Sequence, residues 1–300
     1  MKKTLLVFAA LLVAVAAFAG SQAEEPLGTE ENPLIWAFVP SGDTNEIVSG
    51  GEEVADMIYD LTGLVVEVKV AADYAGVIEA LSSDPPSAHI TSLATFSYVL
   101  AADRGVAEAA LVSVRYGSPT YNGQIIANVN SGINTLEDLV GKTFARPDPL
   151  STSGWIIPML TMRAAGIDPE TDLAQILDAG GHPAVAAAVY NGDADAGATF
   201  VDARTSIEAD YPDVMDVVKV IAVTADIPND GVQFSPTVPA DIRNRIVDAL
   251  LEIASTDAGR EALGKAYDWT DIVRRTDTFY DPFRQVLQAS GLTPEDLAGE

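Results

Sequence analysis

Short apolar runs alternate with stretches of helical periodicity along most of this chain. Leu34 to Val39 is an apolar run that ends in the turn residues Pro40-Ser41-Gly42-Asp43, which predicts a buried strand followed by a turn. Glu46 to Leu61 then carries apolar residues at helical spacing until Gly63, and Leu64 to Val70 alternates as a strand. Repeated strand–helix alternation of this kind favours βαβ units and therefore an α/β fold with largely parallel strands.

A second alternating set begins after Tyr121. Its predicted elements are strand Gln124 to Val129, strand Lys142 to Ala145, helix Ser153 to Ala165, a helix containing Val185 to Val189, and strand Ala194 to Phe200. The strand-like run Val217 to Val223 has no obvious place in this set, and the chain from Ala240 onward is largely helical. This order fits two α/β units, with the second inserted into the first. We expect residues 24–122 and 225–300 to form one unit and residues 123–224 the other, with chain crossings near 118–126 and 220–228.

The N-terminal segment predicts the compartment. Lys2 and Lys3 precede an almost unbroken apolar run from Leu5 to Ala19, and small residues follow with cleavage options ending at Ala19 and Ala23. This order is typical of a secretory signal peptide over residues 1–23, and the run is shorter than the ~20 residues that a spanning helix needs. The alternative is an anchor that is never cleaved. We expect an exported protein, periplasmic or at the cell surface.

Charge and composition exclude several classes of function. The chain has 44 acidic against 17 basic residues and a formal net charge of −27, so nucleic acids and anionic membrane surfaces are poor partners. It has no cysteine, which excludes thiol catalysis and iron–sulfur clusters. The only two histidines are far apart, so we expect neither a metal centre nor a cofactor. Any binding of an anion must therefore depend on local geometry.

The stretch from Asp148 to Gly154 is the strongest candidate for such geometry. Pro149 disfavours helix at the residue before it, so the following helix can begin only later. Ser151, Thr152 and Ser153 then occupy the cap region and first turn, where free backbone N–H groups converge with the positive end of the helix. Ordinary helix capping needs one hydroxyl, and three in a row followed by glycine make an anion cradle an equal alternative.

Three further residues have a place near such a site. His182 lies in the turn Gly180-Gly181-His182-Pro183 ahead of a helix, where it can donate to an anion or simply cap the turn. Tyr74 stands where a strand passes into a helix, the edge at which α/β sheets bind ligands, although an aromatic residue there is as often packing. Asp230 follows the last crossing in the turn Asn229-Asp230-Gly231, which turn chemistry alone explains.

Taken together, these stretches resemble a known family. From about Trp36 to Pro239 the chain is similar to the phosphonate/phosphite/phosphate-binding receptors of ABC transporters. The matching motifs are Phe38-Val39-Pro40-Ser41, Asp73-Tyr74-Ala75-Gly76-Val77-Ile78-Glu79-Ala80, Ser97-Tyr98-Val99-Leu100-Ala101, Gly141-Lys142-Thr143-Phe144-Ala145, the stretch Asp148 to Gly154, Gly181-His182, and Ile227-Pro228-Asn229-Asp230.

The resemblance implies a fold, a set of ligand contacts and partners. It implies the two-lobed periplasmic-binding-protein fold of type II, each lobe a mixed sheet flanked by helices, which closes on its ligand. It implies a receptor, expected to be a monomer, that hands its ligand to a membrane permease and has no enzymatic activity. It assigns the phosphonate oxygens to Ser151, Thr152, Ser153, His182 and Tyr74, adds Tyr121 near the hinge, and places Asp202 and Asp230 at the ammonium group of aminophosphonates.

Two departures and two alternatives keep the ligand open. The family often has Gly-Pro before the Ser-Tyr-Val stretch, where this chain reads Leu93-Ala94-Thr95-Phe96, so Phe96 is expected to narrow or re-line the far end of the ligand site. Asp202 stands where a glutamate is common in aminoalkylphosphonate binders. Within the binding class, phosphite and phosphate are the alternatives to an alkyl- or aminoalkylphosphonate. A secreted hydrolase using Ser151 or Ser153 with His182 is a weaker alternative, because the chain lacks a Gly-x-Ser-x-Gly elbow.

Overall fold

The computed structural model describes residues 25–299. The predicted signal peptide, residues 1–23, lies outside the described residues. Among the helices of the described range, none combines the length and the apolar character that a membrane crossing requires.

The strands and helices follow the predicted alternation. The strands are β1 (Leu34–Phe38), β2 (Val66–Val70), β3 (Ile90–Ser92), β4 (Glu108–Val114), β5 (Thr120–Asn128), β6 (Thr143–Arg146), β7 (Gln175–Asp178), β8 (Ala196–Phe200), β9 (Val218–Pro228), β10 (Gly231–Phe234) and β11 (Asp271–Arg274). The α-helices are α1 (Thr44–Thr62), α2 (Tyr74–Ser82), α3 (Thr95–Asp103), α4 (Ile157–Ala164), α5 (Pro169–Asp172), α6 (His182–Asn191), α7 (Val214–Val217), α8 (Ala240–Ser255), α9 (Asp257–Tyr267), α10 (Asp281–Ser290) and α11 (Pro294–Ala298). Short 3₁₀ turns lie at Glu137–Leu139, Ala203–Ile207 and Asp277–Tyr280.

These strands form two mixed sheets, one in each lobe. The first has the order β11-β4-β10-β3-β1-β2, in which β1 runs parallel to β2 and β3 while β10 and β11 pair antiparallel to their neighbours. The second has the order β7-β6-β8-β5-β9, with β6 parallel to β7 and β8 and with β5 antiparallel to β8 and β9. The two-lobed α/β fold with mixed sheets is confirmed, although fewer strands are parallel than the alternation alone suggested.

The run Val217 to Val223, which had no place in the predicted second set, belongs to that set. It forms most of β9, the edge strand that pairs antiparallel with β5 from Thr120↔Pro228 to Asn128↔Val218. Its partner β5 lies far earlier in the chain, with most of the second lobe between them, so no local strand–helix alternation indicates this pairing.

The chain passes between the lobes at two neighbouring points. It leaves the first sheet after β4 and returns to it through Asn229 between β9 and β10. The Asn229 side chain donates to the carbonyls of Ser113 and Ser118 at 3.0 Å each and so ties the two crossings together. The β5–β9 pairing includes Asn122↔Asp226 and Gln124↔Val223, so both predicted lobe boundaries lie inside this one strand pair and remain a prediction.

Close helix packing in the first lobe fixes the wall of the cleft. At Gly50 of α1, an added Cβ would lie 2.6 Å from the backbone nitrogen of Ala266 in α9, so only glycine lets these helices touch. The C-terminal end of α9 brings Lys265, Tyr267 and Asp268 to the space between the lobes. Tyr267 is anchored there by its hydroxyl, which donates to the carbonyl of Val39 at 2.5 Å.

Candidate functional site

A cavity of about 1340 Å³ lies between the lobes, and residues of both lobes line it. Its wall contains every residue that the sequence singled out as a ligand contact: Tyr74, Tyr121, Ser151, Thr152, Ser153, His182, Asp202 and Asp230. The structure thus brings together residues that lie as far apart in the chain as Tyr74 and Asp230. Their individual roles depend on the contacts that each one makes.

The hydroxyl run begins differently from the predicted helix. The predicted helix Ser153 to Ala165 is wrong at its start, because Thr152–Ile156 forms a π-helical turn and α4 follows it. Pro158 has no N–H to donate to Gly154, so the regular α ladder cannot form there. At Gly154, an added Cβ would lie 2.3 Å from Pro147 Cδ, which explains the glycine at this position.

Ser151 caps this turn, and unpaired donors surround it. Its Oγ accepts the N–H of Gly154 at 3.2 Å. Within the described chain, the backbone N–H groups of Thr152 and Ser153 have no acceptor, although both residues are buried. Buried N–H groups in folded proteins are nearly always paired. Two orphan donors side by side therefore indicate a place for a ligand oxygen.

Thr152 is oriented from the opposite lobe. The N–H of Phe96, at the start of α3, donates to Thr152 Oγ1 at 2.8 Å, so the hydroxyl hydrogen of Thr152 remains available for another acceptor. The expectation that Phe96 re-lines the ligand site is wrong. Its ring is fully buried in the first lobe and packs edge-on against Phe283, away from the cavity wall.

Asp148 joins the loop that precedes the cradle, the run Ser151 to Ser153, to the other lobe. Its Oδ1 accepts the N–H of Leu150 at 2.7 Å, and its Oδ2 accepts the N–H of Tyr74 at 3.2 Å. Burial raises the pKa of Asp148, and these two backbone N–H groups act in the opposite direction. The carboxylate therefore holds the loop ahead of Ser151 against the start of α2.

The tautomer of His182 follows from its contacts. Its Nδ1 accepts the N–H of Phe200 at 3.3 Å, so the proton of the neutral ring is on Nε2, which lies 3.4 Å from Ser151 Oγ. Burial, together with the positive charge of Arg115, lowers the pKa of His182 to about 3. At neutral pH the ring is uncharged and presents one N–H donor to the cradle.

Two buried tyrosines complete the set of donors. Burial raises the pKa of Tyr74 well above its usual value, reinforced by Tyr267 and Asp148, while a hydrogen bond with Ser151 opposes the shift. Burial raises the pKa of Tyr121 to about 12, against hydrogen bonds with Ser153 and Thr95. Both phenols keep their protons at neutral pH and can donate them.

The two predicted acidic contacts are both engaged by arginines, which sequence reasoning missed. Arg115 forms a two-pronged pair with Asp230, Nη1 to Oδ1 at 2.5 Å and Nη2 to Oδ2 at 3.0 Å. Arg204 holds Asp202 in the same way, at 2.8 Å from Nε and 2.5 Å from Nη2. The spacing of two residues between Asp202 and Arg204 was the one available signal, because the Arg115–Asp230 pair joins distant parts of the chain.

The arrangement is suited to an oxyanion. Hydroxyls, backbone N–H groups and a neutral imidazole N–H converge on one place, and none of them carries a formal charge. Charge-assisted hydrogen bonds of neutral donors to an anion are stronger than neutral pairs. In the part of the chain that the structure describes, no group of three or more acidic or histidine side chains is placed to hold a metal ion.

Comparison with known proteins supports the same conclusion. The family described as "ABC transporter, phosphonate, periplasmic substrate-binding protein" matches residues 36–280. The phosphate-import protein PhnD of Mycolicibacterium smegmatis is 31% identical over 206 residues, which are 64% of this chain and 64% of that protein. The phosphonates-binding periplasmic protein of Escherichia coli is 27% identical over 229 residues, covering 75% of this chain and 67% of that protein.

Solved structures share the fold. A binding protein component of an ABC phosphonate transporter from Pseudomonas aeruginosa has a TM-score of 0.79 at 23% identity, covering 89% of this chain and 87% of that one. PhnD1 of Prochlorococcus marinus, solved in complex with methylphosphonate, has a TM-score of 0.75 at 14% identity, covering 87% and 98%. With the family match over most of its length, the chain belongs to the periplasmic substrate-binding proteins of phosphonate ABC transporters.

Proposed function

We propose that this protein is an exported receptor that captures a phosphonate-type oxyanion between its lobes and delivers it to an ABC transporter permease. The observation that carries the proposal is the surplus of donors around Ser151: the free N–H groups of Thr152 and Ser153 and the Nε2–H of His182. Sugars and amino acids present donors as well as acceptors, whereas a phosphonate group presents acceptor oxygens. A site made of hydrogen-bond donors therefore fits a phosphonate group.

Binding and closure are coupled because donors come from both lobes. Ser151, Thr152, Ser153 and His182 belong to the second lobe, and Tyr74 belongs to the first. The backbone N–H of His182 also donates across the cleft to the carbonyl of Ser41 at 3.1 Å. An anion that accepts from both sides stabilises the closed arrangement, and the permease recognises that arrangement.

The contacts of His182 argue against a hydrolase. A catalytic base needs a free lone pair facing the serine and a carboxylate on its other nitrogen. Here Nδ1 accepts a backbone N–H, so Nε2 carries the proton and cannot take one from Ser151. The same tautomer makes His182 a donor to an anion.

Phosphate or phosphite is the second candidate ligand. The relative from Mycolicibacterium smegmatis is named for phosphate import, and that observation favours testing it. The cradle offers the same donors to the oxygens of all three anions, so the part of the cavity beyond the oxygens decides between them.

Isothermal titration calorimetry of the mature protein against methylphosphonate, phosphite, phosphate, glucose and alanine tests the proposal. We expect at least one of the three phosphorus oxyanions to bind and the other two compounds to give no heat. Ser151→Ala should weaken that binding, and Ser255→Ala, at an exposed helix end, serves as the matched control. Binding of alanine or glucose without any phosphorus oxyanion would overturn the proposal.

A further inference from the structure

We infer that the two arginine–aspartate pairs of the cavity make it select phosphonates with an uncharged substituent over those with an ammonium group. The inference rests on the proposed function and refines its substrate class. It concerns Asp230 with Arg115 and Asp202 with Arg204, the two acidic positions that the family resemblance assigns to an ammonium.

Asp230 has little capacity left for another cation. Arg115 covers both of its oxygens, and the hydroxyl of Ser113 also donates to Oδ1 at 2.8 Å. Arg115 is itself fixed in place, because its Nε donates to the carbonyl of Tyr267 at 3.1 Å and its Nη1 lies 3.3 Å from Asn229 Oδ1. An ammonium that approached this pair would meet a compensated charge next to a fixed guanidinium.

Asp202 is more fully occupied still. Its Oδ1 accepts from Gln124 Nε2 at 2.9 Å, from Arg204 Nε at 2.8 Å and from the backbone N–H of Arg204 at 3.2 Å. Its Oδ2 accepts from Arg204 Nη2. Burial works against the charged form, but the hydrogen bonds from Arg204 and Gln124 keep the pKa of Asp202 below its usual value. A carboxylate offers about four lone-pair sites, and three donors reach Oδ1 but one reaches Oδ2, so an ammonium would find a single free lone pair beside the Arg204 guanidinium.

Both pairs lie one side chain away from the cradle. The Tyr121 ring lies 6.0 Å from the Arg115 guanidinium carbon, and its hydroxyl hydrogen-bonds with Ser153. Phe200, two residues before Asp202, packs against His182 with 4.8 Å between ring centres. A substituent on a phosphonate held at the cradle therefore reaches aromatic surface and compensated charges.

The acidic rim of the cavity does not change this balance. Asp43, Glu46, Asp210 and Asp268 line the cavity wall and are exposed to solvent, although partial burial raises the pKa of Asp268 against the charge of Arg115. Salt screens exposed charges over about 8 Å at physiological ionic strength. The rim therefore exerts a weak, salt-dependent attraction, whereas the paired carboxylates determine which substituent fits inside.

The test compares two ligands of nearly equal size, propylphosphonate and 2-aminoethylphosphonate, which differ by a methyl group in place of an ammonium. Calorimetry at physiological salt should show propylphosphonate binding roughly tenfold or more tighter to the wild-type protein. Arg115→Gln uncovers Asp230 and should shift the ratio of affinities by roughly tenfold towards 2-aminoethylphosphonate. The double variant Arg115→Gln/Asp230→Asn should lose that shift.

Two further variants provide a second test and a control. Arg204→Gln uncovers Asp202 and repeats the experiment if the Arg115 variants do not fold. Arg243→Gln removes a half-buried arginine that pairs with Glu108 on the first lobe, and should leave the ratio unchanged. Tighter binding of 2-aminoethylphosphonate by the wild-type protein would overturn the inference and leave the phosphonate function standing. Absence of binding by every phosphorus oxyanion would overturn both.

Discussion

The backbone N–H of Phe96 in the first lobe donates to Thr152 Oγ1 in the second lobe at 2.8 Å. This bond fills the acceptor side of the hydroxyl and leaves its hydrogen for a ligand. The same pattern recurs at Ser151, which accepts from Gly154, and at His182, which accepts from Phe200. Backbone N–H groups thus convert three ambivalent side chains into donors.

Replacing Thr152 by valine keeps the shape of the side chain and removes the hydroxyl. Thr152→Val should weaken methylphosphonate binding by roughly tenfold to a hundredfold, because one charge-assisted hydrogen bond of about 1.5–3 kcal/mol is lost. Thr152→Ser, which keeps the hydroxyl, should bind within a few-fold of wild type. Calorimetry measures both, and equal affinity of the valine and serine variants would contradict a ligand contact at this hydroxyl.

His182→Ala removes the neutral N–H donor of the cradle. We expect methylphosphonate to bind roughly tenfold to a hundredfold more weakly, again the value of one hydrogen bond to an anion. The matched control is His89→Ala, since His89 lies outside the cavity wall and accepts the N–H of Ile35 within the first lobe. An unchanged affinity in the His182 variant would remove this residue from the site.

His182 should also make stability depend on pH. Burial, with the charge of Arg115, lowers its pKa to about 3 in the folded protein, whereas an exposed histidine titrates near 6.5. Below pH ~6.5 the unfolded chain binds a proton that the folded chain does not, so the free energy of unfolding falls by up to about 1.4 kcal/mol per pH unit as the pH decreases. The stability that acidification removes in this way is fully present above pH ~6.5, the pKa of histidine in the unfolded chain.

Urea unfolding of wild type and His182→Gln between about pH 5 and 7 isolates this effect. The variant should lose less stability on acidification than the wild type. Carboxylates with lowered pKa values, such as Asp202 and Asp277, act in the same direction but are present in both proteins. Identical pH slopes would show that His182 titrates normally in the folded state.

The contact between α1 and α9 offers a test of the fold. Gly50→Ala places a Cβ against the backbone of Ala266 and should destabilise the protein by about 1–3 kcal/mol, as overpacking typically does. Gly264→Ala, on α9 itself, meets nothing closer than 3.9 Å and should be neutral or slightly stabilising. Denaturant unfolding distinguishes the two, and equal stabilities would contradict the close helix contact.

Local sequence patterns predicted most of the elements but not those set by long-range pairing. Gly63, which adopts a positive φ, ends α1 as the sequence predicted. The strands β4 and β11 were missed, because they pair antiparallel with each other and gain their place only after the chain has crossed between the lobes.

The candidate site shows the same division. The hydroxyl run of Ser151 to Ser153 is visible in sequence because a cap and its donors are local. The pairing of Arg115 with Asp230 is not, because 115 positions separate the two residues. The π-helical turn at Thr152–Ile156 depends on Pro158 and on the approach of Pro147 to Gly154, and helical periodicity registers neither.

A crystal structure of the mature protein with methylphosphonate at neutral pH is the most direct test of the cradle. The account predicts phosphonate oxygens within hydrogen-bonding distance of the Thr152 and Ser153 N–H groups and of His182 Nε2, with the Arg115–Asp230 pair intact. Oxygens bound instead by Arg115, with Asp230 displaced and the Ser151 to Ser153 donors unused, would contradict it.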